Sequence, residues 1–226
     1  MDSATIAALR ANVLWFGTRR HSVEGRACRD YDIMTEAGDV LLRARSFLWG
    51  RELSIATPDG RGVLSVLRSR AFPLTGTAAV RELSPDRTIG TVHRNGAFRD
   101  PAGTVHGRFR DARTMRERVK ENAFQVILDT ILTEGETSMP AGPDALVMMV
   151  DDAIAATLSY GRLPFDDAAA TEPQTRVQKM VPGRLRDAWQ SLKAPHGWKF
   201  SRMREVDCDP RLELAAALFA AELSRW

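Results

Sequence analysis

The sequence predicts an α+β chain: an antiparallel β-barrel of hairpin repeats around a C-terminal hydrophobic helix, with a helical insertion. Three observations predict it. A strand–turn–strand pattern recurs through the first half, the period switches to helical spacing near residue 114, and the last segment is apolar on every face. The composition suits a soluble globular protein: 226 residues, 44% hydrophobic, 32 basic and 29 acidic side chains. It excludes disordered and disulfide-rich classes. No segment approaches the roughly 18 apolar residues that a spanning helix needs.

The first hairpin pairs Tyr31–Met34 with Val40–Arg45 across Glu36–Asp39. The second pairs Leu53–Ala56 with Val63–Leu67 across Pro58–Gly60, and the third pairs Ala79–Leu83 with Ile89–Val92 across Ser84–Arg87. The fourth pairs Ala97–Asp100 with Val105–Phe109 across Pro101–Gly103. Asp, Pro and Gly stand where the backbone must turn with a fixed or positive φ. The flanks alternate apolar and polar, as half-buried strands do. About eight short strands at even spacing read as a meander that closes on itself.

Thr114 and Glu117 form a capping box, and Met115, Val119, Ala123, Val126, Ile127 and Ile131 follow at helical spacing up to Gly135. Leu146, Val147, Val150, Ile154 and Leu158 predict a second helix over Asp144–Tyr160. Residues 166–175 read as a linker, and residues 183–193 as a third, shorter helix. Trp198–Val206 returns to strand alternation. Asp209 is then a good N-cap, Pro210 suits the first helical position, and residues 214–221 are apolar without a break. Eight residues exceed two turns, so this helix has no polar side. At about 24 Å it is too short to cross a bilayer, so protein must enclose it, and its alanines keep it thin enough for a narrow barrel. The expected divisions are an N-terminal segment (1–27), the hairpin barrel (28–110), a helical insertion (111–196) and the closing strand with central helix (197–226).

Tyr31-Asp32-Ile33, Gly38, the Asp59-Gly60 turn, Ile89-Gly90, Asp100 with Gly103, and the final strand leading into Asp209 and Leu212–Leu223 carry a family resemblance. With these features the chain resembles the tubby C-terminal-like fold, and more closely the phospholipid scramblase and LURP-one-related group. The match covers about 28–110 and 197–226, and residues 112–195 depart from it. The resemblance implies a barrel around a central hydrophobic helix, and a binding or scaffold role rather than a defined reaction. Tubby-like members bind phosphoinositides through basic side chains. The chain lacks the scramblases' proline-rich region, cysteine cluster and acidic calcium segment, so calcium-dependent scrambling is not carried over.

Residues 1–110 carry a net charge of +6 and residues 111–226 carry −3. A basic first half attracts phosphate-rich partners or an anionic membrane surface. Only 4 of the 32 basic residues are Lys, so composition bias is the plainer source of the arginines. The candidate anion-binding side chains are Arg43 with Arg45, Arg68 with Arg70, and Arg108 with Arg110. Each pair shares a strand face, and adjacent hairpins would join the pairs into a basic strip; the plainer reading is a solvated outer wall. His93 and His106 near Asp100 would permit acid–base chemistry if the fold brought them together, and are otherwise surface residues. Asp151-Asp152 would bind a cation, or simply face water on the second helix. Cys28 and Cys208 read as reduced thiols. No catalytic, nucleotide or metal motif is present, so no metal or cofactor is expected, and the scattered basic character argues against nucleic acid. The N-terminus lacks the form of a signal peptide, which makes the cytoplasm the default. The expected ligand is an anionic lipid headgroup or a protein partner. The rival readings are an interaction protein that dimerises through the stripe of residues 115–131, and a hydrolase-type enzyme with a pocket between barrel and insertion.

Overall fold

The computed structural model describes residues 1–23, 26–47, 51–69, 75–112, 145–165 and 196–224. After a short helix α1 (Ser3–Ala8) come β1 (Val13–Val23), β2 (Arg26–Met34), β3 (Val40–Phe47), β4 (Glu52–Ala56), β5 (Gly62–Arg68) and β6 (Thr77–Leu83). They are followed by β7 (Asp86–His93), β8 (Ala97–Arg99), β9 (Val105–Asp111), β10 (Ala145–Val150), β11 (Ala153–Arg162) and β12 (His196–Arg202). The last element is helix α2 (Pro210–Leu223). Among the described residues these twelve strands pair antiparallel in chain order, and β12 returns to β1, with Phe16 opposite Trp198, to close the barrel. Closure leaves no unpaired sheet edge among the described residues.

All four expected hairpins are present as β2–β3, β4–β5, β6–β7 and β8–β9. Gly38 and Gly60, with φ of 92° and 90°, supply the positive φ that their turns require. Along β3 the exposure alternates: Leu42 and Ala44 face inward, Arg43 and Arg45 outward. β1 was not expected, because Val13–Phe16 is an unbroken apolar run. Leu14 and Phe16 are buried in the core, whereas Trp15 lies on the outer side between the Phe165 ring and the Lys199 ammonium. A strand covered on both sides does not alternate.

The predicted second helix is a correction. Residues 145–162 form the hairpin β10–β11, with Leu146 opposite Leu158 and Met148 opposite Ala156 on the inner face. Asp151 and Asp152 are the two turn residues, both with positive φ (49° and 59°), and not the wet face of a helix. Such two-residue turns match the twist of the strands they join, and Asp tolerates the left-handed region. The helix expected at 114–135, the linker at 166–175 and the helix at 183–193 lie outside the described residues.

Helix α2 fills the barrel. Leu212 and residues 214–221 are all buried, the least so Ala220 at 8% exposed. The wall at β7 leaves no room for a side chain at Gly90: a Cβ there would stand 2.7 Å from Leu212 Cδ1 and would collide with the Arg99 carbonyl oxygen. The helix begins as its sequence requires. Asp209 caps it by accepting from the Arg211 N–H, with Pro210 in the first turn.

Partial burial pushes the Asp209 carboxyl upward, but the Arg211 side chain and backbone N–H outweigh it and hold the group below the usual carboxylate range. A lowered folded value adds stability above the unfolded carboxylate pKa, and that stability is lost as pH falls through the folded value. Asp209→Asn therefore removes part of the acid sensitivity. Between about pH 5 and about pH 2 its denaturation midpoint is expected to fall less than that of the parent chain. Equal slopes would show that the cap carries no such linkage.

Candidate functional site

Three places in the barrel collect polar side chains. At the N-terminal end of α2, Arg202 on β12 grips Glu213 with Nη2 2.7 Å from Oε2, and also donates to the Ala11 carbonyl. Arg211 bridges Asp209, at 2.6 Å, and Glu82, while Arg87 donates to Glu82 at 2.8 Å. These pairs anchor the helix to strands from both sides of the wall.

At the other end, Glu222 is wholly buried in α2. It accepts from the Tyr31 hydroxyl and from Arg29 Nη1 at 3.3 Å, both on the inner face of β2. Burial, then the negative charge of Glu222, pushes the Tyr31 hydroxyl well above its ordinary value, so it stays a donor. Arg68 continues the inner face of β5 and lies 5.5 Å from the Phe219 ring centroid. Desolvation lowers its pKa, while Glu222 and Tyr31 favour its charge.

The expected arginines therefore divide. Arg43 and Arg45 face outward on β3 but are matched by acids on β2. Arg45 forks onto Asp30 at 2.7 and 2.9 Å, and Arg43 Nε lies 3.3 Å from Asp32. Arg68 is inside the barrel, and Arg70 lies outside the described residues. Arg108 and Arg110 are exposed on the outer face of β9, six strands round the ring from β3. Arg43 and Arg45 do not join Arg108 and Arg110 into a single strip, because those two pairs sit on opposite walls of the barrel, and Arg68 points inward between them.

A smaller basic face replaces it, and includes a residue the sequence reading passed over. Arg99 on β8 is exposed on the same outer face, where Arg108 stands opposite Ala97. Across the next pairing Arg108 faces Met149 and Arg110 faces Val147, and Met149 in turn faces Ile154, which is 46% exposed. Directly opposed residues of an antiparallel pair share a face. Among the described residues, Arg99, Arg108 and Arg110 have no acidic partner. The β10–β11 half of this surface was invisible while that segment read as helix.

The histidines are held apart by β8 and engaged separately. His93 Nδ1 accepts from the Asn95 N–H, which leaves Nε2 to donate to the Thr75 carbonyl at 2.8 Å. His106 Nε2 lies 3.3 Å from Asp100. Partial desolvation works against ionisation of Asp100, but the Thr104 N–H and His106 outweigh it and lower its pKa. Neither cysteine is in a disulfide, and burial foremost pushes the Cys208 thiol up to about 12, which makes it a poor nucleophile. Among the described residues no three His, Cys, Asp or Glu side chains converge as a metal site, and no helix is long and apolar enough to cross a membrane.

A cleft of about 290 Å³ lies between the C-terminal half of α2 and the wall at β7, β9 and β10. Ala216, Phe219, Ala220 and Leu223 form its floor, and His93, Arg94, Arg110 and Asp111 contribute its polar edge. No family model matches the chain, and no curated protein or solved structure is detectably similar to it.

Proposed function

We propose that this chain is a non-catalytic binding or scaffold module of the tubby C-terminal-like, scramblase and LURP-one-related type, and that its ligand is an anionic lipid headgroup. The observation that carries the ligand is the outer face of β8–β11, where Arg99, Arg108 and Arg110 stand beside Val147, Met149 and Ile154 with no acidic partner among the described residues. Arginine forks suit phosphate, and adjacent apolar side chains suit the boundary between headgroups and acyl chains. The closed barrel filled by its own helix supports the scaffold reading, because its core is packed with the chain's own side chains and its outer wall is free to meet a partner. Arg19, Arg43, Arg45 and Arg81, on other strands, are each matched by a cross-strand acid, whereas Arg99, Arg108 and Arg110 have none among the described residues.

Co-sedimentation with vesicles tests this. Binding is expected to rise with the anionic lipid fraction and fall with salt. R108Q/R110Q is expected to weaken it by about 2 kcal/mol, roughly thirty-fold, at about 1 kcal/mol for each arginine at a charged surface. R43Q/R45Q, on the opposite wall, is expected to leave it unchanged. Absent or salt-independent binding removes the lipid ligand and leaves a protein partner as the reading to pursue.

A further inference from the structure

We infer that the cleft beside α2 is a second binding site, for a small amphiphile with one apolar chain and one anionic head. Its position follows from the helix sequence. Ala216, Phe219, Ala220 and Leu223 fall at spacings of three and four and so form one stripe along α2. The two alanines in that stripe leave the space that larger side chains would fill. Opposite them stand Val92, Phe109 and Leu146, so floor and wall are apolar. At about 290 Å³ the cleft is at the lower limit of small-molecule sites, about 300 Å³. That is room for one chain of medium length and too little for a two-chain lipid or a dinucleotide.

The head is assigned by charge. The last turn of α2 presents negative partial charge from its terminal carbonyls, so an anion is directed away from the helix and toward the strand side of the rim. Arg110 stands there on β9, exposed and without an acidic partner among the described residues. Asp111, also on the rim, is the group that would favour a cationic head instead, and the test separates the two. The site shares Arg110 with the outer wall proposed for membranes, but its floor is the central helix, and titration without vesicles reads it alone.

Calorimetric titration of the full chain with decanoate, decanol and decyltrimethylammonium, each below its aggregation concentration and without vesicles, decides it. Decanoate is expected to bind saturably at one site, roughly tenfold tighter than decanol, the discrimination that one charge-assisted hydrogen bond supplies. Decyltrimethylammonium is expected to give no saturable heat. Ala220→Leu fills the cleft and is expected to abolish decanoate binding while keeping a cooperative melt and unchanged vesicle co-sedimentation. Arg110→Gln is expected to bring decanoate down to the affinity of decanol. No saturable decanoate binding, a preference for the ammonium head, or full binding by folded Ala220→Leu overturns the site. Should Ala220→Leu not fold, undiminished decanoate affinity in Arg110→Gln overturns it alone.

Discussion

Glu222→Ala is expected to destabilise the fold by about 3–5 kcal/mol, the usual cost of breaking a buried ion pair from one side. Glu222 is fully buried and holds the Tyr31 hydroxyl and Arg29, whose side chain is 4% exposed. Removing the carboxylate takes from that guanidinium the counter-charge given by α2 and strips the Tyr31 O–H of its acceptor. Against a typical total of 5–15 kcal/mol this is a large share. Chemical denaturation at neutral pH measures it, read as the midpoint at constant slope. The double substitution Arg29→Met with Glu222→Leu is expected to recover most of the loss, since well-packed apolar residues often replace a buried pair at little cost. A loss under about 1 kcal/mol for Glu222→Ala would mean that the pair does not tie α2 to β2.

Gly90→Ala is expected to cost about 3 kcal/mol, the upper end of overpacking, although it adds one methyl group. The new Cβ would collide with a carbonyl oxygen of β8, which cannot swing aside as a side chain can, and would stand 2.7 Å from Leu212 on α2. Either β7 separates from β8 or the helix retreats from the wall. Adding Leu212→Ala relieves only the second contact, so the double variant is expected to stay below the parent in denaturant midpoint. Gly60→Ala serves as a contrast: a Cβ there meets nothing within 4 Å, and its cost is confined to the positive φ of the turn. Equal midpoints for Gly90→Ala and the parent would show that the wall is looser here than the geometry states.

Much of the architecture was legible where local chemistry and tertiary role agree. The turns at Gly38 and Gly60 carry their own conformational instruction, and the strands beside them alternate because one side is wet. Legibility failed where both faces are covered or where two periods coincide. Val13–Phe16 has no polar alternation because Trp15 is packed on the outside as well. Leu146, Val147, Val150, Ile154 and Leu158 satisfy a helical spacing, yet Leu146 and Leu158 meet across a hairpin that turns at two aspartates with positive φ. Such a turn shows in the sequence only as a polar pair between apolar runs.

The candidate sites were less legible than the fold. Arg43 and Arg45 look free in the sequence because their partners Asp30 and Asp32 lie on the neighbouring strand. Arg68 looks like a surface residue beside Arg70, but the strand's parity turns it inward over Phe219. Arg99, Met149 and Ile154 join Arg108 and Arg110 only through the hairpins β8–β9 and β10–β11 and the pairing of β9 with β10 between them.

From the sequence alone came the repeated hairpins, the capped start of the last helix and the need to enclose it, because turn preference, capping and one-sided burial act over a few neighbouring residues. Which charges are matched, which wall stays basic, and where the helix leaves a cleft were decided by the tertiary structure. Those properties depend on which strands the closing barrel sets side by side, and pairing between residues far apart in the chain leaves no local mark.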